Sequence, residues 1–343
     1  MSEASTNSLK IDSLFNVNTS YCVLPSRISN PQIRLVAESL VRNLGRTTSL
    51  ASALPLMVGL AIESQRFQCD ACIDVVGIAN PDTSTISVND EARIVARVNE
   101  LLEESRKTAS LTEQVRKHWK LGIFLLDMAL ATNTYQVDDG VKSLLSSLVL
   151  TTWTAFETLA GDLWTAALNV HPQGLSSLTG TFKAWRQIDK PPASVQTEKA
   201  GDKDNVGKQI SLGVLQKYKF NLSANMGDVL RDKQEFTTLA KIREAYANAF
   251  SDDYDRVREV LLDQSLDHLS SLRNVLVHKG GIADIEFKSK IAGCEYFKSI
   301  SVGDEVLLDG KIVAEMISAV SIQASNLVLA VDQWIIRHPT KTN

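Results

Sequence analysis

Cysteine is scarce, with four in 343 residues, which does not suit the disulfide framework of a small secreted domain and reads as reduced cytosolic thiols. Only Cys69 and Cys72 are closely spaced, at the interval of half a zinc site or a redox pair. Cys22 and Cys294 are distant and no histidine lies nearby. A structural zinc needs four ligands, so no metal is expected. Long apolar runs are missing too. The longest, Leu50 to Ile62, carries Pro55 and Gly59 and falls short of the roughly 20 residues of a membrane span. It reads as a buried helix pair. No basic stretch followed by an apolar one opens the chain, so a cytoplasmic protein without membrane association is expected. An excess of positive charge is also lacking. Lys and Arg number 36 against 40 Asp and Glu, a net −4, which argues against sequence-wide attraction to nucleic acid. There is no internal repeat, no phosphate-cradling glycine loop and no Gly-x-Ser-x-Gly nucleophile elbow, and no cofactor is expected.

What is present is helical patterning. A hydrophobic content of 44% and a charged content of 22% fit an ordinary globular chain, long enough for two domains or one elaborated domain. Residues 1–30 are rich in Ser, Asn and Thr and read as an irregular arm. From Pro31 the pattern becomes helical, with proline at a first turn, and a second helix is predicted near 54–66. Asn89 or Asp90 caps a helix to about Ser105, and Leu111 to Ala131 forms another. The cluster Lys117-His118-Trp119-Lys120 within it reads as the polar face of an amphipathic helix. Further helices are predicted at about 228–249, 252–278 and Ile312 to Ile336. The fold class is therefore all-α, with a helical N-terminal region at 31–118, a helical domain at 119–343 and a short β-hairpin near 303–312.

The most informative stretch runs Ser271-Leu-Arg-Asn-Val-Leu-Val-His-Lys-Gly-Gly281. It places Arg273, Asn274 and His278 on the last turns of a helix stopped by glycine, with Gly280 as the expected left-handed residue. At about 100° per residue Asn274 and His278 share a face. Arg273 and His278, five apart, are about 140° apart on that wheel. Either the long Arg273 side chain reaches around, or a second copy of the helix brings the groups together. Histidine suits proton transfer near neutrality, and Arg273 offers a forked donor to phosphate oxygens. Asn274 can orient the histidine or hold the phosphate. The same three residue types at a helix end can also do no more than cap carbonyls and pair with surface carboxylates.

Arg273-Asn followed by three residues and His278 resembles the RNxxxH motif of HEPN domains, all-helical modules that include metal-independent ribonucleases. Two further stretches extend the resemblance over roughly residues 120–340. One is the helix Leu148 to Leu168, in which Trp153, Phe156, Ala160, Leu163, Trp164 and Ala167 follow helical spacing and Trp-x-x-Phe-Glu ends at Glu157. The other is Gly280-Gly-Ile-Ala-Asp284, then Val302-Gly-Asp-Glu-Val306 and an apolar closing helix. The resemblance implies a homodimeric endoribonuclease using Arg273, Asn274 and His278, with Glu157 approaching the pair from another helix. Its products would be 2′,3′-cyclic phosphate and 5′-hydroxyl ends, from tRNA or mRNA. It also implies toxin or antiviral defence biology, with an inhibitory antitoxin or a trigger-sensing partner. The alternative is a non-catalytic HEPN-like module that binds RNA, a nucleotide or a protein.

From Thr181 to Phe220 eight basic residues face four acids, with Trp185, Tyr218 and Phe220 interleaved. This is the one basic, aromatic surface the sequence offers to RNA, set in a Gly- and Lys-rich loop. Lys183, Arg186, Lys217 and Lys219, together with Lys279 beside the motif, are the candidate RNA contacts.

Overall fold

The structure is a computed structural model that describes residues 13–14, 17–82, 86–108, 110–131, 135–175, 212–250 and 255–339. It is all-α. Among the described residues the only β pairing is an isolated antiparallel bridge between Ile282 and Glu305. The helices are α1 (Pro31–Val76), α2 (Val88–Thr108), α3 (Leu111–Ala131), α4 (Tyr135–Val170), α5 (Pro172–Leu175), α6 (Leu212–Lys217), α7 (Met226–Arg231), α8 (Leu239–Ala249), α9 (Asp255–Leu261), α10 (Gln264–His278), α11 (Ile285–Lys290) and α12 (Gly310–Arg337).

Two compact units form, and their boundary does not follow the chain at residue 119. The larger holds Val17–Thr47, Ser146–Leu307 and Ile312–Asn343; the smaller holds Met1–Asn16, Thr48–Leu145 and Leu308–Lys311. The reason is helix length. α1 and α4 are long enough that each gives part of its residues to each unit.

In the larger unit the core is built from α4, α8, α10 and α12. α4 buries Trp153, Phe156, Leu159, Ala160, Leu163, Trp164 and Ala167, the stripe its periodicity predicts. Two hydrogen bonds lock α4 to α8: Trp164 Nε1 donates to the Ala245 carbonyl at 3.1 Å, and the Tyr246 hydroxyl to the Ala160 carbonyl at 2.8 Å. Burial pushes the Tyr246 hydroxyl far above the ordinary tyrosine range, with nearby Arg231 opposing it. The carbonyl it bonds supplies the acceptor that a buried hydroxyl needs.

Several sequence expectations are corrected. The expected irregular arm is partly ordered: Ser20–Arg27 forms a short 3₁₀ helix with Tyr21 and Leu24 buried. The buried Asp332 carboxylate accepts the Ser29 and Asn30 backbone N–H groups at 3.0 and 2.9 Å, so polar residues at this chain start are recruited rather than left loose. The two helices expected around Pro55 are one helix of 46 residues. An internal proline costs a helix about 3 kcal/mol, but α3 packs hard on this stretch. A Cβ on Gly122 would fall 1.8 Å from the Pro55 carbonyl oxygen, and one on Gly59 2.0 Å from that of His118. Nor is this stretch fully buried, since Met57 and Leu60 are 68% and 52% exposed. The helix expected to be capped by Asn89 or Asp90 begins at Val88 and is capped by Ser87, whose hydroxyl accepts from the Asp90 N–H at 3.1 Å. The hairpin expected near 303–312 does not form, because 303–306 pairs with 281–283 and Gly310 already begins α12. The single helix expected over 252–278 breaks after Leu261, where Asp263 caps α10 by accepting from the Ser265 N–H at 2.9 Å. Asp252 and Asp253 lie outside the described residues.

By length and composition α1 and α12 could cross a membrane; 28% and 56% of their apolar windows are buried. Composition alone does not separate a span from a core helix.

The smaller unit hides a polar network where an amphipathic face was expected. Glu63 and His118 are only 7% and 9% exposed and are hydrogen-bonded to each other. Lys117 Nζ donates to the other Glu63 oxygen at 2.7 Å. Burial pushes the Glu63 carboxyl up. The Lys117 hydrogen bond and the charges of His118, Lys117 and Arg66 together outweigh it and hold the group below its ordinary value. A depressed carboxylate contributes stability above its unfolded pKa, near 4.3, and loses it as pH falls through the folded value. The expected results are that Glu63→Ala costs about 1–3 kcal/mol at pH 7, by leaving the buried His118 ring without its partner, and that the gap to wild type narrows below about pH 4. Urea unfolding at both pH values checks this; a gap independent of pH would place the effect in packing.

Candidate functional site

α10 buries Leu266, Leu269, Leu272 and Val275 at three-residue steps, so its remaining surface carries the polar groups. Arg243 anchors it. Nη1 and Nη2 donate to the two Asp267 carboxylate oxygens at 2.9 and 2.8 Å, while Nε donates to the Leu261 carbonyl at 2.8 Å. This fork fixes α10 to α8 and to the end of α9, a bidentate geometry that lysine cannot reproduce. Within α10, His268 is half-buried and burial pushes its imidazole below the usual range, against the pull of Asp267 and Asp263.

The helix stops as the glycines require. Gly280 and Gly281 have φ of +59° and +82°, and the N–H groups of Lys279 and Gly281 both donate to the Val275 carbonyl at 3.1 Å. A Cβ would meet nothing within 4 Å at either glycine, so the need for glycine is conformational, not steric. The chain then pairs with the second motif stretch: Ala283 N–H donates to Asp304 O, Gly303 N–H to Ala283 O and Val306 N–H to Gly281 O, each at 2.8 Å. Asp284 caps α11 by accepting from the Phe287 N–H at 2.8 Å. That bond, with Lys279 nearby, holds the Asp284 carboxyl below the usual range. Gly281→Ala is expected to cost about 1–2 kcal/mol, the penalty of a left-handed residue bearing a Cβ. Thermal unfolding checks it; an unchanged midpoint would mean that the turn relaxes freely.

Arg273, Asn274 and His278 come together within one chain. Arg273 Nη1 lies 3.1 Å from His278 Nε2 and donates to Asn274 Oδ1 at 3.0 Å. Arginine thus reaches around the helix by itself. Guanidinium has no lone pair to give, so the contact with His278 is a hydrogen bond when Nε2 presents its lone pair, in the neutral imidazole protonated at Nδ1. Asn274 orients the arginine, not the imidazole. Arg273 and Asn274 are half-buried and His278 is exposed, so the imidazole side chain stands open to solvent.

The remaining candidates lie elsewhere. Glu157 accepts from its own helix, from Trp153 Nε1 at 3.0 Å, and makes no hydrogen bond or ion pair with Arg273 or His278. Lys279 is exposed and ion-paired with Asp284 at 3.6 Å, a partner signalled in the sequence by an aspartate directly before Ile-Glu-Phe-Lys, an N-cap pattern. Lys217 and Lys219 lie at the end of α6, both exposed. Lys183 and Arg186 lie outside the described residues. Among the described residues no group of three or more His, Cys, Asp or Glu could hold a metal ion. Cys72 is instead buried with Ala71 and Ile94.

Comparison with protein-family models yields no match, and searches of curated proteins and of solved structures yield none either.

Proposed function

We propose that this chain is a metal-independent endoribonuclease of the HEPN kind, working as a homodimer. The observation that carries the reading is the 3.1 Å contact between Arg273 Nη1 and His278 Nε2 at a solvent-reachable helix end. In this reading His278 Nε2 takes the proton of a ribose 2′-hydroxyl, whose oxygen attacks the adjacent phosphorus. The 5′-oxygen departs and a protonated histidine returns a proton to it. The products are a 2′,3′-cyclic phosphate and a 5′-hydroxyl end. Arg273 already occupies the lone pair that must act as base. The reading therefore requires an incoming phosphate to draw the guanidinium away, which frees Nε2 and sets a fixed charge on the oxygens as they gain negative charge. DNA lacks the nucleophile.

A role as toxin or antiviral effector, with an inhibitory or trigger-sensing partner in the cytoplasm, rests on the sequence resemblance alone. The test is incubation of mixed tRNA and mRNA in EDTA. Cutting that persists, leaves cyclic phosphate ends and spares DNA of the same sequence supports the proposal. Cutting abolished by EDTA, or DNA cut equally well, would sink it, and ligand binding without any cutting would leave the non-catalytic alternative.

A further inference from the structure

Among the described residues only two non-glycine positions have positive φ, and they are adjacent: Lys219 at +53° and Phe220 at +57°. They close α6, with Phe220 N–H donating to the Leu215 carbonyl and Lys219 N–H to the Gln216 carbonyl, both at 2.9 Å. This wrap ordinarily uses glycine, because a Cβ in the left-handed region is strained. The strain is not recovered by packing. Neither α6 nor the 3₁₀ turn Leu222–Ala224 has a buried residue, and Phe220 is 62% exposed. A bulky ring is thus held in water by a backbone conformation that disfavours it. Such strain, where no interior packing explains it, points to a task outside the fold.

The surroundings narrow the task. Leu212 to Asn225 contains Lys217 and Lys219 and no acid. Lys217 Nζ lies 5.3 Å from the centre of the Tyr218 ring. Phe220 presents an exposed ring one residue past Lys219 and three past Lys217, in a stretch without an acid, which matches a base beside phosphates that the lysines meet. We propose that the Lys217–Phe220 turn is a stacking platform for an unpaired base of a single-stranded nucleic acid, with Lys217 and Lys219 meeting the neighbouring phosphates. The proposal extends the RNA reading given above, and its test lets the two fail separately.

The probes are a fluorescein-labelled 12-residue oligouridine RNA and the matching oligothymidine DNA. Each is titrated by anisotropy against full-length His278→Ala, which keeps the RNA intact, and the DNA also against wild type. Stacking needs no 2′-hydroxyl, so both probes should bind. Phe220→Ala should weaken both by about 5- to 150-fold, the effect of losing one base stack, and Phe220→Trp should restore binding. Lys217→Gln with Lys219→Gln should reduce the slope of log affinity on log salt by about 1.4. Phe220→Gly should lose binding without lowering the melting temperature, since glycine suits this φ. The proposal is overturned if neither probe binds, if Phe220→Ala binds as tightly as its parent, or if Phe220→Gly melts several degrees lower. A shift in oligomeric mass without loss of oligonucleotide affinity also overturns it, marking a protein contact instead. If wild type never cuts RNA but Phe220-dependent binding persists, the platform stands and the ribonuclease reading falls.

Discussion

Substituting His278 by alanine is expected to lower the rate of RNA cleavage by about 10²–10⁴-fold, the usual contribution of a positioned general base or acid. Among the described residues the exposed side chain makes one polar contact, to Arg273, so helical content and melting temperature should stay close to wild type. Arg273→Ala should cost a comparable factor, because it removes a fixed charge that Asn274 Oδ1 holds in position at 3.0 Å. Arg273→Lys is the sharper variant. It keeps the charge, and its ammonium has donors enough for the two contacts that Nη1 alone makes with Asn274 and His278, but it cannot grip a phosphate with two parallel N–H groups, so activity should recover only partly. Asn274→Ala should fall between wild type and Arg273→Ala, since the guanidinium remains but loses its orienting acceptor. Cleavage rates across the four variants, with circular dichroism on each, check the series. Collapse of the far-ultraviolet signal in His278→Ala would move the residue from chemistry to structure. Full cleavage by that variant would move the active site elsewhere.

Trp164→Ala is expected to be the most damaging single change to the larger unit, at about 3–5 kcal/mol for a fully buried aromatic. Trp164 is about 1% exposed, packs edge-on to Phe236 with ring centres 5.6 Å apart, and spends its indole N–H on Ala245. Alanine leaves a cavity and strips the Ala245 carbonyl of its second donor, with the helical Ala249 N–H remaining. Trp164→Phe separates the two, keeping most of the volume while losing the hydrogen bond, and should cost roughly 1–3 kcal/mol. Urea denaturation followed by circular dichroism measures both. A phenylalanine variant as unstable as the alanine one would show that the hydrogen bond, not the volume, dominates.

Much of the architecture was legible because it depends on local periodicity. α3 begins and ends at the predicted residues, and α12 begins and ends within two residues of its predicted bounds. Trp153, Phe156, Leu163 and Trp164 are buried as their spacing requires. Gly280 takes its left-handed turn because no other residue type does so without strain. Breaks that depend on one side chain were missed. Asp263 ends an otherwise continuous helical pattern by bonding the backbone two residues on, and Pro55 fails to end one because α3 lies against it.

The candidate site divides in the same way. The sequence determined that Arg273, Asn274 and His278 fall on one helix end, and that a glycine pair stops the helix there, since spacing and backbone chemistry are local properties. It left open whether Arg273 reaches His278 or needs a second copy, because an angle on a helical wheel does not say where a long side chain goes. Tertiary structure decided that Arg273 reaches it within one chain, that Glu157 turns to Trp153, and that Lys279 is drawn to Asp284. It also decided that His118 and Glu63 are buried together, an arrangement invisible to helical spacing because the partners are 55 residues apart. Which polar groups meet depends on how helices pack, and packing joins residues that no local pattern connects.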